Sequence, residues 1–142
     1  MIRLANLTFT ALLDHVHARL LRTARGRSAL PARAYLADEA GHVTMVGLPA
    51  LEGTAEHEAA GAVLGVLMRD HAAAHAVLQL PHLADQPDGA EEIVGLYAIG
   101  AAGRALGQRR FAVERGVDGR IARLVQLATP RGRQTRAASA VG

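Results

Sequence analysis

Seven histidines, at positions 15, 17, 42, 57, 71, 75 and 82, are the residues of this chain best suited to acid–base or metal chemistry. Imidazole titrates near neutrality and ligates zinc through either ring nitrogen. Spacing is the difficulty. His71 and His75 share a face only if one helix carries both. Asp70 and Asp85 could add oxygen ligands, but His75 falls where the helix gives way to a strand. His57-Glu58 lacks the second histidine that H-E-x-x-H requires. His15 and His17 lie two apart on a helix and point in different directions. No triplet has metal-ligand spacing, so neither a metal nor another cofactor is expected. Acid–base work by a histidine with Asp70 or Glu58 stays open, but the spacing selects no pair.

Other chemistries are closed by what the chain lacks. Cysteine is absent, which removes thiol nucleophiles, thiolate metal sites and cysteine-held iron–sulfur clusters. Lysine is absent, so there is no Schiff base and no Walker A loop. Ser28 and Ser139 are the only serines, and neither lies in a G-x-S-x-G elbow. The stretch from Gly95 through Gly100 to Gly103 invites a nucleotide reading. It lacks the G-x-G-x-x-G spacing and the following helix N-terminus that a pyrophosphate needs. A tight turn and small residues in a packed strand account for the same glycines.

Arginine is segregated along the chain. Residues 1–33 carry six Arg and one Asp, net +5; residues 34–100 carry one Arg and ten acids, net −9; residues 101–142 carry nine Arg and two acids, net +7, for the total of +3. Acidic and basic faces of two subunits could therefore meet. An anion-binding surface would be built from Arg109, Arg110, Arg131, Arg133 and Arg136. Nucleic acid is disfavoured as a partner, because the chain has no aromatic platform and its acidic middle repels phosphate.

The elements that must position these residues follow from periodicity. Leu7–Arg25 reads as a helix, with Thr8 or Asn6 as its cap and Gly26 as its stop. Ala34–Ala37 and Val43–Leu48 read as a hairpin around Asp38-Glu39-Ala40-Gly41. Pro49–Gly53 is a loop. Thr54 caps a second helix with Glu56 and Glu58 in its first turn, apolar or small around almost its whole circumference and so expected to be largely buried. Strands follow at His75–Leu83, Glu92–Gly100, Ala105–Glu114 and Arg120–Leu127, with Ala84–Ala90 read as a loop, Ala101–Gly103 as a turn and Arg115–Gly119 as another. In the last strand Ile121, Arg123 and Val125 should alternate against Ala122, Leu124 and Gln126. Gly61 and Gly65 lie on one side of the second helix. Each costs about 1 kcal/mol there relative to alanine, so the pair predicts close packing against the first helix, the sheet or the same helix of a second subunit.

At 142 residues a single domain is expected, 1–128, followed by a basic tail, 129–142, with almost no apolar surface. The fold class is α+β: one antiparallel sheet of about five or six strands with two helices packed on one face, in the order α-β-β-α-β-β-β-β. That order loosely resembles the profilin-like and roadblock domains, which run helix, two strands, helix, three strands. They finish with a helix, where this chain finishes with a strand and a tail. The resemblance implies topology and not function.

Half the residues are hydrophobic and 3% are aromatic, Phe9, Tyr35, Tyr97 and Phe111, so the core is aliphatic and rich in alanine. With no signal peptide or spanning segment legible, a cytoplasmic protein without a membrane partner is the expectation. The preferred functional reading is a non-catalytic interaction or scaffold module acting as a homo-oligomer, and not an enzyme. The alternatives are a small enzyme or ligand-binding protein with a His/Asp/Glu site, and a nucleic-acid-associated protein using the arginine-rich C-terminal region.

Overall fold

Thr8 opens the first helix, α1 (Phe9–Ala24), by accepting a hydrogen bond from Ala11 N at 2.9 Å. The structure, a computed structural model, describes residues 2–3, 8–48, 55–86, 89–100 and 104–128, without the side chains of 2–3, 55–61, 63, 82–86 and 89–90. Leu12, Leu13, Val16, Leu20 and Ala24 form the buried stripe of α1. Each large member contributes about 1.5–3 kcal/mol by leaving water. Gly26 then takes φ +85°, a backbone that favours glycine, and its N–H donates to Ile121 O at 2.8 Å. The chain is thereby turned onto the far end of the sheet.

Among the described residues seven strands form one antiparallel sheet: β1 (Ile2–Arg3), β2 (Arg33–Asp38), β3 (His42–Gly47), β4 (Ala73–Gln86), β5 (Gly89–Gly100), β6 (Ala105–Arg115) and β7 (Ile121–Gln126), in the order β1-β3-β2-β4-β5-β6-β7. The second helix, α2 (Ala55–Asp70), carries the chain from β3 over β2 to β4. β1 exceeds the five or six strands expected; it is a two-residue edge, too short to show a period. The expected loop at 84–90 is also corrected. β4 and β5 stay paired to Gln86↔Gly89, and positions 87 and 88 lie outside the described residues. The proposed cap Thr54, the 49–53 loop, the 101–103 turn and the tail, with Arg131, Arg133 and Arg136, lie outside the described residues.

The helices do not share a face. Tyr35, Ala37, Val77, Val94, Leu96, Ala98 and Phe111 pack with the stripe of α1. Their strand neighbours Ala34, Leu36, Ala76, Leu78 and Leu80 pack with Leu64 and Met68 of α2 on the other side. Alternate residues of a strand face opposite ways, so the sheet is the middle of three layers. β2 and β4 are buried on both faces, which is why Ala34–Ala37 and Ala76–Leu80 are continuous buried runs. Beyond element order, nothing supports a profilin or roadblock relationship. The alternation expected in β7 is broken as well. A register shift between Glu114 and Arg115 pairs Ile121 with Arg115. Ile121 therefore joins the α1 core, where Leu124 also packs.

Among the described residues α2 is not largely buried. Leu64 and Met68 are buried, Leu67 is half-buried, and Ala62, Val66, Arg69 and Asp70 are exposed. No described helix is long and apolar enough to cross a membrane.

Candidate functional site

A polar side-chain cluster joins α1 to β6. Asp14 and His17 lie a turn apart on α1, and Arg109 lies on the α1 side of β6, opposite Leu96. Arg109 Nη2 donates to Asp14 Oδ1 at 2.7 Å, and Nη1 donates to His17 Nδ1 at 2.9 Å. The His17 ring stands edge-on to buried Phe111, with centroids 4.9 Å apart. Asp14 is 61% exposed and Arg109 22%, so the cluster opens to solvent on its carboxylate side.

Donor inventory decides what the cluster can do. A guanidinium only donates, so His17 Nδ1 must accept, and the neutral imidazole carries its proton on Nε2. Burial first, then the Arg109 cation, push the His17 pKa below its ordinary value, with Asp14 opposing. His17 is thus neutral at pH 7 with one nitrogen occupied and the other protonated. It has no free lone pair with which to take a proton, so general-base work would need the Arg109 contact to break. The Arg109 charge is likewise matched by Asp14. The cluster clasps α1 to the sheet.

The remaining ionisable groups are placed as follows. His15, on the other flank of α1, has its Nε2 buried without a hydrogen-bond partner among the described residues, as does Arg19 Nε one turn on. Burial, then Arg19 and Arg22, lower its pKa. His75 sits in β4, five residues after the end of α2, so His71 and His75 share no helix face. His42 Nδ1 lies 3.4 Å from Asp38 Oδ2. The N–H of His42 is the main reason the Asp38 carboxyl is held below its usual range. Glu92 receives Nε and Nη2 of Arg115 at 2.8 and 2.7 Å, while Nη1 of the same arginine reaches the carbonyls of Ser28 and Gly119. The Arg115 hydrogen bonds hold the Glu92 carboxyl low. These contacts tie the β6–β7 turn and the connector after α1 to β5. Among the described residues no three His, Asp or Glu side chains converge as a metal site would require. The side chains of His57, Glu58, His82 and Asp85 are outside the description.

The placement of two sequence-derived groupings is as follows. Arg109 and Arg110 are neighbours in a strand and face opposite sides of the sheet, Arg110 opposite Gly95. The two do not share a face, and Arg109 is engaged by Asp14 and His17. Gly65, read as a close-packing position, has open space where a side chain would stand. A Cβ there would meet only its own helix's Arg69 Nη1, at 3.9 Å. Neither α1, which lies across the sheet, nor the sheet itself packs against it; Gly61 is outside the side-chain description.

The glycine stretch of β5 has a different use from the nucleotide one. A Cβ on Gly95 would stand 2.5 Å from Cε2 and Cζ of Tyr97, so the glycine is the seat of the Tyr97 ring on the α2 side of the sheet. Beside it Tyr97, Ile99, Ala105 and Gln108 line an open depression of about 210 Å³. That is below the roughly 300 Å³ at which small-molecule pockets begin. Asp14 was invisible as a site residue because its partner Arg109 is 95 positions away. No family model matches the chain, and comparison with curated proteins and with solved structures likewise returns no match.

Proposed function

We propose that the chain is a non-catalytic interaction module that acts as a homo-oligomer. The observation that supports this reading is the outward face of α2. Val66 is 47% exposed, Ala62 is exposed, and Gly65 faces open space on the same helix. Exposed helix faces are ordinarily charged, and glycine inside a helix costs about 1 kcal/mol relative to alanine. A small, apolar stretch on that face, ahead of exposed Arg69 and Asp70, is explained if another surface covers it. The Asp14–Arg109–His17 cluster accords with this reading, since its groups are spent on one another. Sedimentation equilibrium of the full chain tests it. A concentration-dependent dimer or higher oligomer is expected, and a monomer at every concentration would sink the proposal.

A further inference from the structure

We infer that the flank of α1 opposite His17 binds a phosphate-type oxyanion, held by the guanidinium groups of Arg19, Arg22 and Arg33 and the imidazole of His15. The site is independent of the homo-oligomer reading.

His15, Arg19 and Arg22 succeed one another at steps of four and three residues. At 100° per residue they fall within about 60° of one another on the helix. His17 is on the other flank, held by Arg109. After burial, Arg19 and Arg22 are the causes that lower the His15 pKa, so both cations act on that ring. Arg33 comes to the same flank from the sheet. The strand register sets Arg33 opposite Gln79, Gln79 opposite Leu96 and Leu96 opposite Arg109. Three strand spacings make that row roughly 14 Å long, and a helix with its side chains is about 10–12 Å across. Arg33 therefore stands on one side of α1 and Arg109 on the other. Alternation with Tyr35, which packs with the α1 stripe, puts the Arg33 side chain on the α1 face of β2.

These groups lack a counter-charge. Arg109 is matched by Asp14, Arg115 by Glu92 and Arg123 by Glu114. The guanidinium groups of Arg19, Arg22 and Arg33 have no ion-pair or hydrogen-bond partner among the described residues. The helix dipole favours Arg22, in the last turn, but fades before Arg19, which is further from the helix end. Arg19 Nε and His15 Nε2 are moreover closed to water with no partner. A buried donor without an acceptor is costly, and more so when charged. An oxyanion seated beside them removes that cost. Arg22 is exposed, and His15, Arg19 and Arg33 are half-buried. The flank thus opens on the Arg22 side, and an oxygen reaches the two inner nitrogens as the Arg19 side chain turns aside. Donors converge from the helix and from the strand. A carboxylate has two oxygens in one plane and saturates a single guanidinium fork, whereas a phosphate presents its oxygens tetrahedrally to several. The ligand chemistry is therefore phosphate, free or as the monoester end of a small molecule.

Isothermal titration of the full chain with inorganic phosphate, glycerol phosphate and a single-stranded oligonucleotide, at constant ionic strength, tests the site. Saturable one-to-one binding of phosphate or its ester is expected, and the tighter of the two names the source. Arg19→Gln, Arg22→Gln and Arg33→Gln should each raise the dissociation constant by about fivefold or more. Arg104→Gln, at an exposed arginine just before β6, should change it by less than about twofold, because a distant charge is screened. Arg19→Lys keeps the charge but loses the Nε–H and the planar fork, and should weaken binding as Arg19→Gln does. Circular dichroism follows the fold; should Arg19→Gln disturb it, Arg22→Gln, at an exposed position, and Arg33→Gln decide. No binding of either phosphate overturns the inference. So does equal weakening by all four glutamine variants, or an Arg19→Lys protein that binds like wild type, since either means a diffuse positive field. An oligonucleotide bound through the same arginines more than about tenfold tighter than the ester would overturn the small-anion assignment.

Discussion

Two residues carry backbone or packing constraints that neighbouring letters do not announce. Ala72, two residues past α2, has φ +51°, the left-handed region in which a Cβ costs about 1–2 kcal/mol. Glycine is the usual residue at such a helix exit. Ala72→Gly is therefore expected to stabilise by about 0.5–1 kcal/mol, after subtracting the larger unfolded-state entropy of glycine. Urea unfolding checks this; a lower midpoint would show that the alanine methyl makes a contact worth more than the strain. Gly95 is the converse case. Alanine there must displace the Tyr97 ring, so Gly95→Ala should cost about 1–3 kcal/mol by overpacking. In a Tyr97→Ala background the same change should cost less than about 0.5 kcal/mol. A double-mutant cycle measures the difference, and equal costs in the two backgrounds would mean the ring is not what requires the glycine.

At the scale of elements, the clasp between α1 and β6 makes stability depend on pH. His15 and His17 both have folded-state pKa values below the ordinary 6.5, each first because of burial and then because of neighbouring arginines. The unfolded chain thus binds protons more readily than the folded one below that value. The stability they contribute is complete above about pH 6.5 and is lost as pH falls through the window beneath it. The urea midpoint should drop between about pH 7.5 and about pH 5.5. His15→Gln/His17→Gln should flatten that slope, because the amide oxygen at 17 can still accept from Arg109. An unchanged slope would place the titration elsewhere. The lowered carboxyls of Asp38 and Glu92 act in a separate, more acidic window.

Most elements were legible in the sequence, because caps and turns are local. Thr8, Gly26 and the Asp38–Gly41 turn sit where residue type placed them, with Asp38 Oδ1 accepting from the N–H of Ala40 and His42. What a helix covers was less so. The runs Ala34–Ala37 and Ala76–Leu80, apolar apart from Gln79, do not alternate, and that was the available sign that both sheet faces are buried. The pairing of β4 and β5 out to Gln86 and Gly89 was hidden by Asp85, Pro87, Asp88 and Gly89, which suit a long loop equally well. The candidate site was legible only as separate letters. His17 and Arg109 stood out by type, but their meeting depends on α1 lying across β4 and β5, a tertiary fact.

The whole molecule is a sheet between two unequal layers, and this sets an order of opening. α1 sinks Leu12, Leu13, Val16, Leu20 and Ala24 and is also held by Asp14 and His17 through Arg109. Among the described residues α2 buries Leu64 and Met68, and its main strand neighbour is β4, with Ala34 and Leu36 of β2 beside it. It is also a crossover, so releasing it breaks no ladder of the sheet. Local opening free energies scale with the apolar contacts an element must surrender. The amides of α2 should therefore exchange through a sub-global opening, while those of α1, β4 and β5 exchange only with global unfolding. Native-state hydrogen exchange at low denaturant measures this directly. The expected pattern is an α2 isotherm of shallow denaturant dependence, merging with the others as urea rises. On the homo-oligomer reading proposed above, raising the protein concentration should slow α2 exchange selectively. If α2 and α1 amides share one isotherm at all urea concentrations and at high dilution, the two layers unfold together and the ranking is wrong.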